Sequence, residues 1–366
     1  QSGSAQEIHF TRYTSQDFKN IQSLGCDVIR LPINLHHMTG GAPDYTLDTL
    51  FLRFLDTAVS WANQLDMHLI LDNHTFDPSV DTDPQVGAIL EKVWTQMATH
   101  YKSSSAKIYY EILNEPHGIS DAAWNSIQQE VVSAIREIDT THTIIIGPAG
   151  WNSFQNLEEM PEYEQEKLIY TFHFYEPFLF THQGASWSEP SMEPLAGVPF
   201  PYDADSMPPL PNALEDSWVE YSYNDYPQEG TASHVKNLID IAVDFSETRD
   251  VPVFCGEFGV YKPNSNPNDR VNWYEVVAGY LDQHNIPWTM WDYHGGFGVF
   301  EAGTNGLFDY HLNIPLLEAV GFHTPEQEEF VLKPDSTGFV LYSDYIGPDI
   351  FEASYSQGPV NYYATD

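Results

Sequence analysis

Two glutamates, Glu115 and Glu257, each lie at the end of a short run rich in β-branched and aromatic residues. Such runs, alternating with stretches of helical periodicity, read as the parallel strands of βα units. Groups at the C-terminal ends of those strands project into a common mouth. Collecting the polar and aromatic residues at the strand ends gives Arg30 and Asn34, Asp72 and His74, and Asn114 and Glu115. Further along come Trp151 and Asn152, His173 and Tyr175, Glu257, and then Trp291. The two glutamates fall on nearly opposite strands of an eight-stranded ring, so their side chains can face each other. Facing carboxyl groups can divide proton donation from the work of a nucleophile or base. A lone glutamate at a strand end is more often a surface or ion-paired group. The surrounding constellation is what singles these two out.

The positioning elements follow from periodicity. Residues 14–24 read as a helix leading into a strand at 27–33. A helix at 47–65 precedes a strand at 68–72, and a helix at 86–101 precedes a strand at 107–113. Helix 122–138 leads to strand 143–146, and a mixed segment leads to strand 168–174. A connection from 176 to 230, rich in Pro, Ser, Asp and aromatics, is too long for an ordinary βα loop and is expected to be functional. Helix 233–248 then leads to strand 251–255, and helix 270–284 leads to strand 288–291. A short helix at 315–320 closes the series. Seven strands are countable, one short of a closed ring.

The strand ends carry a resemblance that reaches well beyond the two glutamates. Ile108-Tyr109-Tyr110-Glu111-Ile112-Leu113-Asn114-Glu115-Pro116 closely resembles the Asn-Glu-Pro signature of glycoside hydrolase family five. Val28-Ile29-Arg30-Leu31-Pro32 resembles that family's second strand, and Leu71-Asp72-Asn73-His74 its third. His173-Phe174-Tyr175, Gly256-Glu257-Phe258-Gly259 and Trp291-Asp292 resemble the sixth, seventh and eighth. The resemblance spans residues 14–323 and implies an α/β chain folded as a (β/α)₈ TIM barrel. It implies retaining hydrolysis, with Glu115 as acid/base and Glu257 as nucleophile, their carboxyl groups roughly 5–5.5 Å apart. It further implies that Asn114 meets the sugar 2-hydroxyl, that Arg30 holds Glu257 ionised and that Tyr175 orients it. His74 and His173 would bind sugar hydroxyls or tune the carboxylates. Trp291 would floor the sugar before the scissile bond, and Trp151 would touch the substrate path.

Composition narrows the partners. With 14 Lys+Arg against 53 Asp+Glu, the formal charge of −39 repels nucleic acid and anionic lipid. A neutral glucan is not disfavoured. No apolar run of about 18 residues is present, so no membrane span is expected. The two cysteines, Cys26 and Cys255, fall on separate strands and make no disulfide framework. The His36-His37 pair has no His-x-His or Cys-x-x-Cys beside it, so no metal and no cofactor are expected, and either histidine is available to touch sugar.

The expected reaction is endo-acting retaining hydrolysis of a β-1,4-linked glucan. Mannan, glucomannan and xyloglucan remain open as backbones, and a non-catalytic carbohydrate-binding barrel is the alternative of another class. The expected organisation is a catalytic barrel at 1–323, a linker at 324–337 and, at 338–366, a fragment of an accessory β-type module. The N-terminal residues do not form a signal peptide, which a secreted protein would have lost, and an extracellular or cell-surface location is expected. The connection at 176–230 is expected to line the cleft and to offer Phe180 or Trp187 to the sugar. On that count the barrel's first strand is missing from this chain. A gap is therefore expected between the strands that hold Ile29 and Thr289. The candidates to fill it are a strand exchanged with a second copy in a homo-oligomer, residues 7–10, and residues 339–342.

Overall fold

The computed structural model describes residues 13–75 and 77–329, together with the backbone of Lys333–Pro334 and Val340–Leu341. Local chemistry starts the helices where the sequence places them. Thr14 caps Ser15–Ser23 in a capping box with Asp17, and Asp48 caps Thr49–Gln64 by accepting from Leu50 and Phe51 N–H. Asn266 caps Pro267–Gln283, whose first-turn proline has no N–H to leave unpaired. Helix Thr49–Gln64 buries Phe51, Leu55, Val59 and Ala62, one stripe of a 3.6-residue repeat. That stripe is what holds it to the sheet.

Six strands form one all-parallel sheet in chain order: β1 (Val28–Ile33), β2 (His68–Asn73), β3 (Ile108–Glu111), β4 (Thr143–Ile146), β5 (Leu168–Phe174) and β6 (Val253–Phe258). Helices cover its outer face, and the main core lies between the two layers, from Trp94 and Trp124 to Phe172 and Trp273. A smaller apolar cluster, Ile70, Ile145 and Phe254 packed with Val28, Tyr109 and Ile169, lies on the opposite, concave face. This is the interior of the barrel. Because side chains alternate along a strand, the next inward positions are Arg30 above Val28, Glu111 above Tyr109 and Thr171 above Ile169. The barrel therefore has an apolar floor and a polar upper layer.

Register explains two differences from the sequence reading. The predicted strand 251–255 is observed at Val253–Phe258, so Glu257 is held within the ladder and not beyond it. The pairing of β5 with β6 shifts so that Phe172 faces Cys255 and His173 faces Glu257. Gly256 is the extra residue of a β-bulge, a device that re-aims the side chain that follows it. The segment at 288–291 forms no full strand. It joins β6 through one bridge, Cys255 with Trp288, and through backbone bonds from Thr289 N–H to Cys255 and from Trp291 N–H to Phe258. Cys26 and Cys255 are both free thiols.

Among the described residues, the outer edge of β1 does not pair with the 288–291 segment. A cavity of 890 Å³ lies between them, with Phe18, Ile21, Ile29, Trp61, Trp288 and Met290 in its walls. The helical layer nevertheless closes across this gap. Leu24 packs with Val299, Phe300, Leu312 and Leu317, and His323 N–H donates to Leu24. Of the candidate occupants, residues 7–10 lie outside the described residues. Val340–Leu341 pairs antiparallel with Lys333–Pro334, so that run takes a different partner from β1.

The 176–230 connection is folded in its own right and contains helix Trp218–Glu229. Phe180, offered above as a sugar contact, is fully buried against Phe200, so that expectation is corrected. The aromatic side chain packs the connection onto the barrel.

Trp124 tests how far stability rests on the outer core. Its ring is fully buried and its Nε1–H donates to the Gly147 carbonyl. Trp124→Ala is expected to cost about 3–5 kcal/mol in denaturant unfolding. Trp124→Phe should recover most of that packing and leave only the lost hydrogen bond.

Candidate active site

Glu115 and Glu257 meet at the C-terminal mouth of the sheet. Together with His173 they form a cluster in which one oxygen or nitrogen from each lies within 4.8 Å of the others. Carboxylate oxygens that approach this closely fit the roughly 5–5.5 Å spacing of retaining chemistry and not the roughly 6.5–9.5 Å of inverting enzymes. The same cluster has donor types that suit a metal, but Glu115 already bonds His173, and Glu257 already bonds Arg30 and Tyr175.

The two carboxylates sit in contrasting surroundings. Glu257 is buried and receives two donors, Arg30 Nη1 at 2.5 Å and the Tyr175 hydroxyl at 2.8 Å. Both bonds favour a charged acceptor. Glu115 touches no cation directly. Its Oε1 lies 2.7 Å from His173 Nδ1, and burial pushes its carboxyl up to about 7. Burial also pushes His173 down to about 4, so this contact is a hydrogen bond to a neutral imidazole and not an ion pair. One carboxyl is therefore ringed by donors that stabilise negative charge, and the other is suited to carry a proton near neutrality.

Arg30 organises the ground between them. Its Nε and Nη2 donate to the two oxygens of Glu111 at 2.7 and 2.8 Å, a two-point fork that fixes the guanidinium plane. Nη1 is then left for Glu257, while Nη2 also reaches Asn114 Oδ1 at 2.8 Å and Asp72 at 3.1 Å. With its oxygen occupied, Asn114 has its amide N–H₂ left to offer a ligand. Glu111 was not among the residues that sequence reasoning singled out. The available signal was a charged residue at an inward position of a strand, four before Glu115. Burial pushes its carboxyl up to about 7 against the pull of Arg30, with Asp72 and Glu257 adding to the rise.

The remaining candidates are brought together with different roles. His74 Nδ1–H donates to the Asp72 carboxylate at 2.7 Å, and the ring lies flat against Trp291, 5.2 Å between centroids and 6° between planes. Burial alone would lower the His74 pKa, but the Asp72 charge and hydrogen bond outweigh it and raise it. Trp151 is 44 % exposed, stacks on His117 at 3.8 Å, and is held in the left-handed region at φ 68°. Its neighbour Asn152 turns inward and donates to the Asn114 carbonyl, so it supports the site without reaching the mouth. His36 and His37 line a 210 Å³ cavity that reaches Glu115 and His117. Trp187, from the long connection, is 47 % exposed and packs edge-on against Tyr261 and near Phe297, which in turn meets Tyr175. The connection therefore borders the catalytic end, as its exit from β5 requires.

Glu111→Gln tests the fork, since an amide can accept from only one side of the guanidinium. We expect kcat to fall about 10- to 100-fold with KM nearly unchanged, because a misaimed Arg30 displaces Glu257 without removing a sugar contact. Steady-state kinetics beside a circular-dichroism melt check it.

A family model described as Cellulase (glycosyl hydrolase family 5) matches residues 3–296. Endoglucanase 3 of Fibrobacter succinogenes is 32% identical over 311 residues, covering 78% of this chain and 47% of that protein. This chain thus spans about half the length of that relative. Endoglucanase C of Acetivibrio thermocellus is 28% identical, covering 78% of this chain and 85% of the relative. Among solved structures, Thermotoga maritima Cel5A in complex with cellobiose superposes with a TM-score of 0.70 at 26% identity, covering 84% of this chain and 90% of that one. The same protein in complex with mannotriose gives 0.71 at 26%, with the same coverage.

Proposed function

We propose, for a chain that belongs to glycosyl hydrolase family 5 and is therefore a glycoside hydrolase, that it cuts β-1,4-linked glucan within the chain by a double displacement with retention. The observation that carries this reading is the pair Glu115 and Glu257, within 4.8 Å yet in opposite electrostatic surroundings.

In the first step Glu257 attacks the anomeric carbon and Glu115 gives its proton to the departing glycosidic oxygen. The bond to that oxygen breaks and a glycosyl ester forms on Glu257. In the second step Glu115, now a carboxylate, takes a proton from a water that attacks the same carbon. The ester breaks, and the product keeps its β configuration. Arg30 and Tyr175 stabilise the charge that returns to Glu257. The free amide edge of Asn114 is suited to the sugar 2-hydroxyl, a contact that strengthens in the transition state. Trp291, backed by His74, floors the sugar that carries the reacting carbon, while Trp187 and Trp151 present flat apolar faces along the path.

The names of the two endoglucanase relatives and the cellobiose complex support glucan as the backbone. The mannotriose complex supports a second reading, in which the cleft also accepts mannan or glucomannan. A polymer substrate cannot cross a membrane, so we place the enzyme's work outside the cell.

Side-by-side rates on carboxymethylcellulose, glucomannan and xyloglucan test the backbone, and NMR of the fresh products tests retention. An initial α product removes the double displacement. Glu257→Ala should abolish turnover in a folded protein. Protonated Glu115 is the competent form of the first step, so kcat/KM should fall as pH rises through about 7. Trp187→Ala should raise KM on long substrates several-fold and leave kcat nearly intact.

A further inference from the structure

His173 presents one ring nitrogen to Glu115 and buries the other. Its Nδ1 lies 2.7 Å from Glu115 Oε1, while its Nε2 is buried with no hydrogen-bond partner in the protein. Two residues earlier on the same face of β5, the Thr171 hydroxyl is also buried without a partner. The two side chains are only 1% and 4% exposed. Leaving either polar atom unsatisfied costs about 1–3 kcal/mol.

The bulged residue Gly256 lies beside both atoms. A Cβ built there would stand 2.7 Å from Thr171 Oγ1 and 3.2 Å from His173 Nε2. The two atoms are therefore within about 6 Å of each other, a span that one water can bridge with two ordinary hydrogen bonds. A side chain at position 256 would crowd both atoms and leave no room for such a water.

We propose that Thr171, His173 Nε2 and the side-chain-free Gly256 form a buried water site, and that its water donates to Nε2 and so keeps the His173 proton on Nδ1, facing Glu115. The inference rests on the reading of Glu115 as acid/base. Its importance comes from counting protons. Burial keeps His173 neutral, so the ring has one N–H to place. With that N–H on Nδ1, it donates to Glu115 Oε1 in both halves of the reaction and leaves the Oε2 proton for the glycosidic oxygen. With the N–H on Nε2, bare Nδ1 would accept the acid proton of Glu115 and withhold it from the leaving group. The charged groups acting on His173 are Glu257, Arg30, Asp72 and His74, besides Glu115. Thr171 is thus a positioning residue that acts through water and imidazole.

Thr171→Val keeps the shape of the side chain and removes the hydroxyl; Thr171→Ser keeps the hydroxyl. On cello-oligosaccharides, whose leaving group needs a proton, kcat/KM of Thr171→Val should fall by about fivefold to tenfold. On dinitrophenyl cellobioside, whose leaving group needs none, it should stay within about twofold of the parent. Thr171→Ser should restore the first value. A high-resolution crystal structure of the parent should show a water within hydrogen-bond distance of both atoms. Equal losses on both substrates, no loss on either, or an empty site in that crystal structure would overturn the proposal. If Thr171→Val does not fold, the crystal structure and Thr171→Ser decide it. Glu115→Ala separates this from the underlying assignment. If that variant loses oligosaccharide activity and keeps the dinitrophenyl substrate's first step while Thr171→Val matches the parent, the water inference alone fails. If Glu115→Ala also matches the parent, the acid/base assignment fails with it.

Discussion

A single guanidinium, that of Arg30, lies inside the barrel among three carboxylates, Asp72, Glu111 and Glu257. Taking such charges out of water is expensive, and the cost is offset only when geometry is good and every donor is used. Here Nε and Nη2 meet Glu111 on one edge, Nη1 meets Glu257 at one tip, and Nη2 also reaches Asn114 and Asp72 at the other. Losing any one acceptor would leave buried charge uncompensated. The arrangement therefore allows one orientation of Glu257 and one of Asn114. It explains why the upper barrel is polar above a floor of Ile70, Ile145 and Phe254.

The excess of negative charge around Arg30 has a further consequence. One cation cannot hold all of its acidic neighbours ionised in a place that water does not reach. Asp72 is held below its ordinary value despite burial, because Arg30 and His74 both favour its charge. Glu111 and Glu115 go the other way, each to about 7. The two facing glutamates differ in their partners: Glu115 bonds a neutral imidazole where Glu257 bonds Arg30 and a phenol. Two glutamates of identical intrinsic chemistry are thereby made unlike.

Around this centre the surface is aromatic. Trp291, Trp151 and Trp187 come from three separate connections, and each is braced by another ring: His74, His117 and Tyr261. The bracing rings fix the planes against which a sugar would lie, and the net charge of −39 bears on charged partners more than on neutral ones. An uncharged polymer meets no penalty from such a surface.

Much of this was legible before any fold was known. Strand-end residues are identifiable because a parallel strand puts its catalytic groups at its C-terminal end, and Arg30, His74, Asn114, Glu115, His173, Tyr175, Glu257 and Trp291 all stand together as their positions suggested. What sequence could not reveal depended on distance between strands. Glu111 looked like one more residue of a buried strand until Arg30, from β1, was seen to fork onto it. Asn152 looked like a site residue and turned out to brace Asn114, and Phe180 looked like a sugar contact and turned out to be core. The bulge that makes Gly256 the unpaired residue is a matter of register between β5 and β6, which no single strand encodes. Residue types and local periodicity determine which groups arrive at the mouth. Only the packing of separate strands decides which of them touch, because hydrogen bonds and ion pairs act over about 3 Å while the partners lie tens of residues apart.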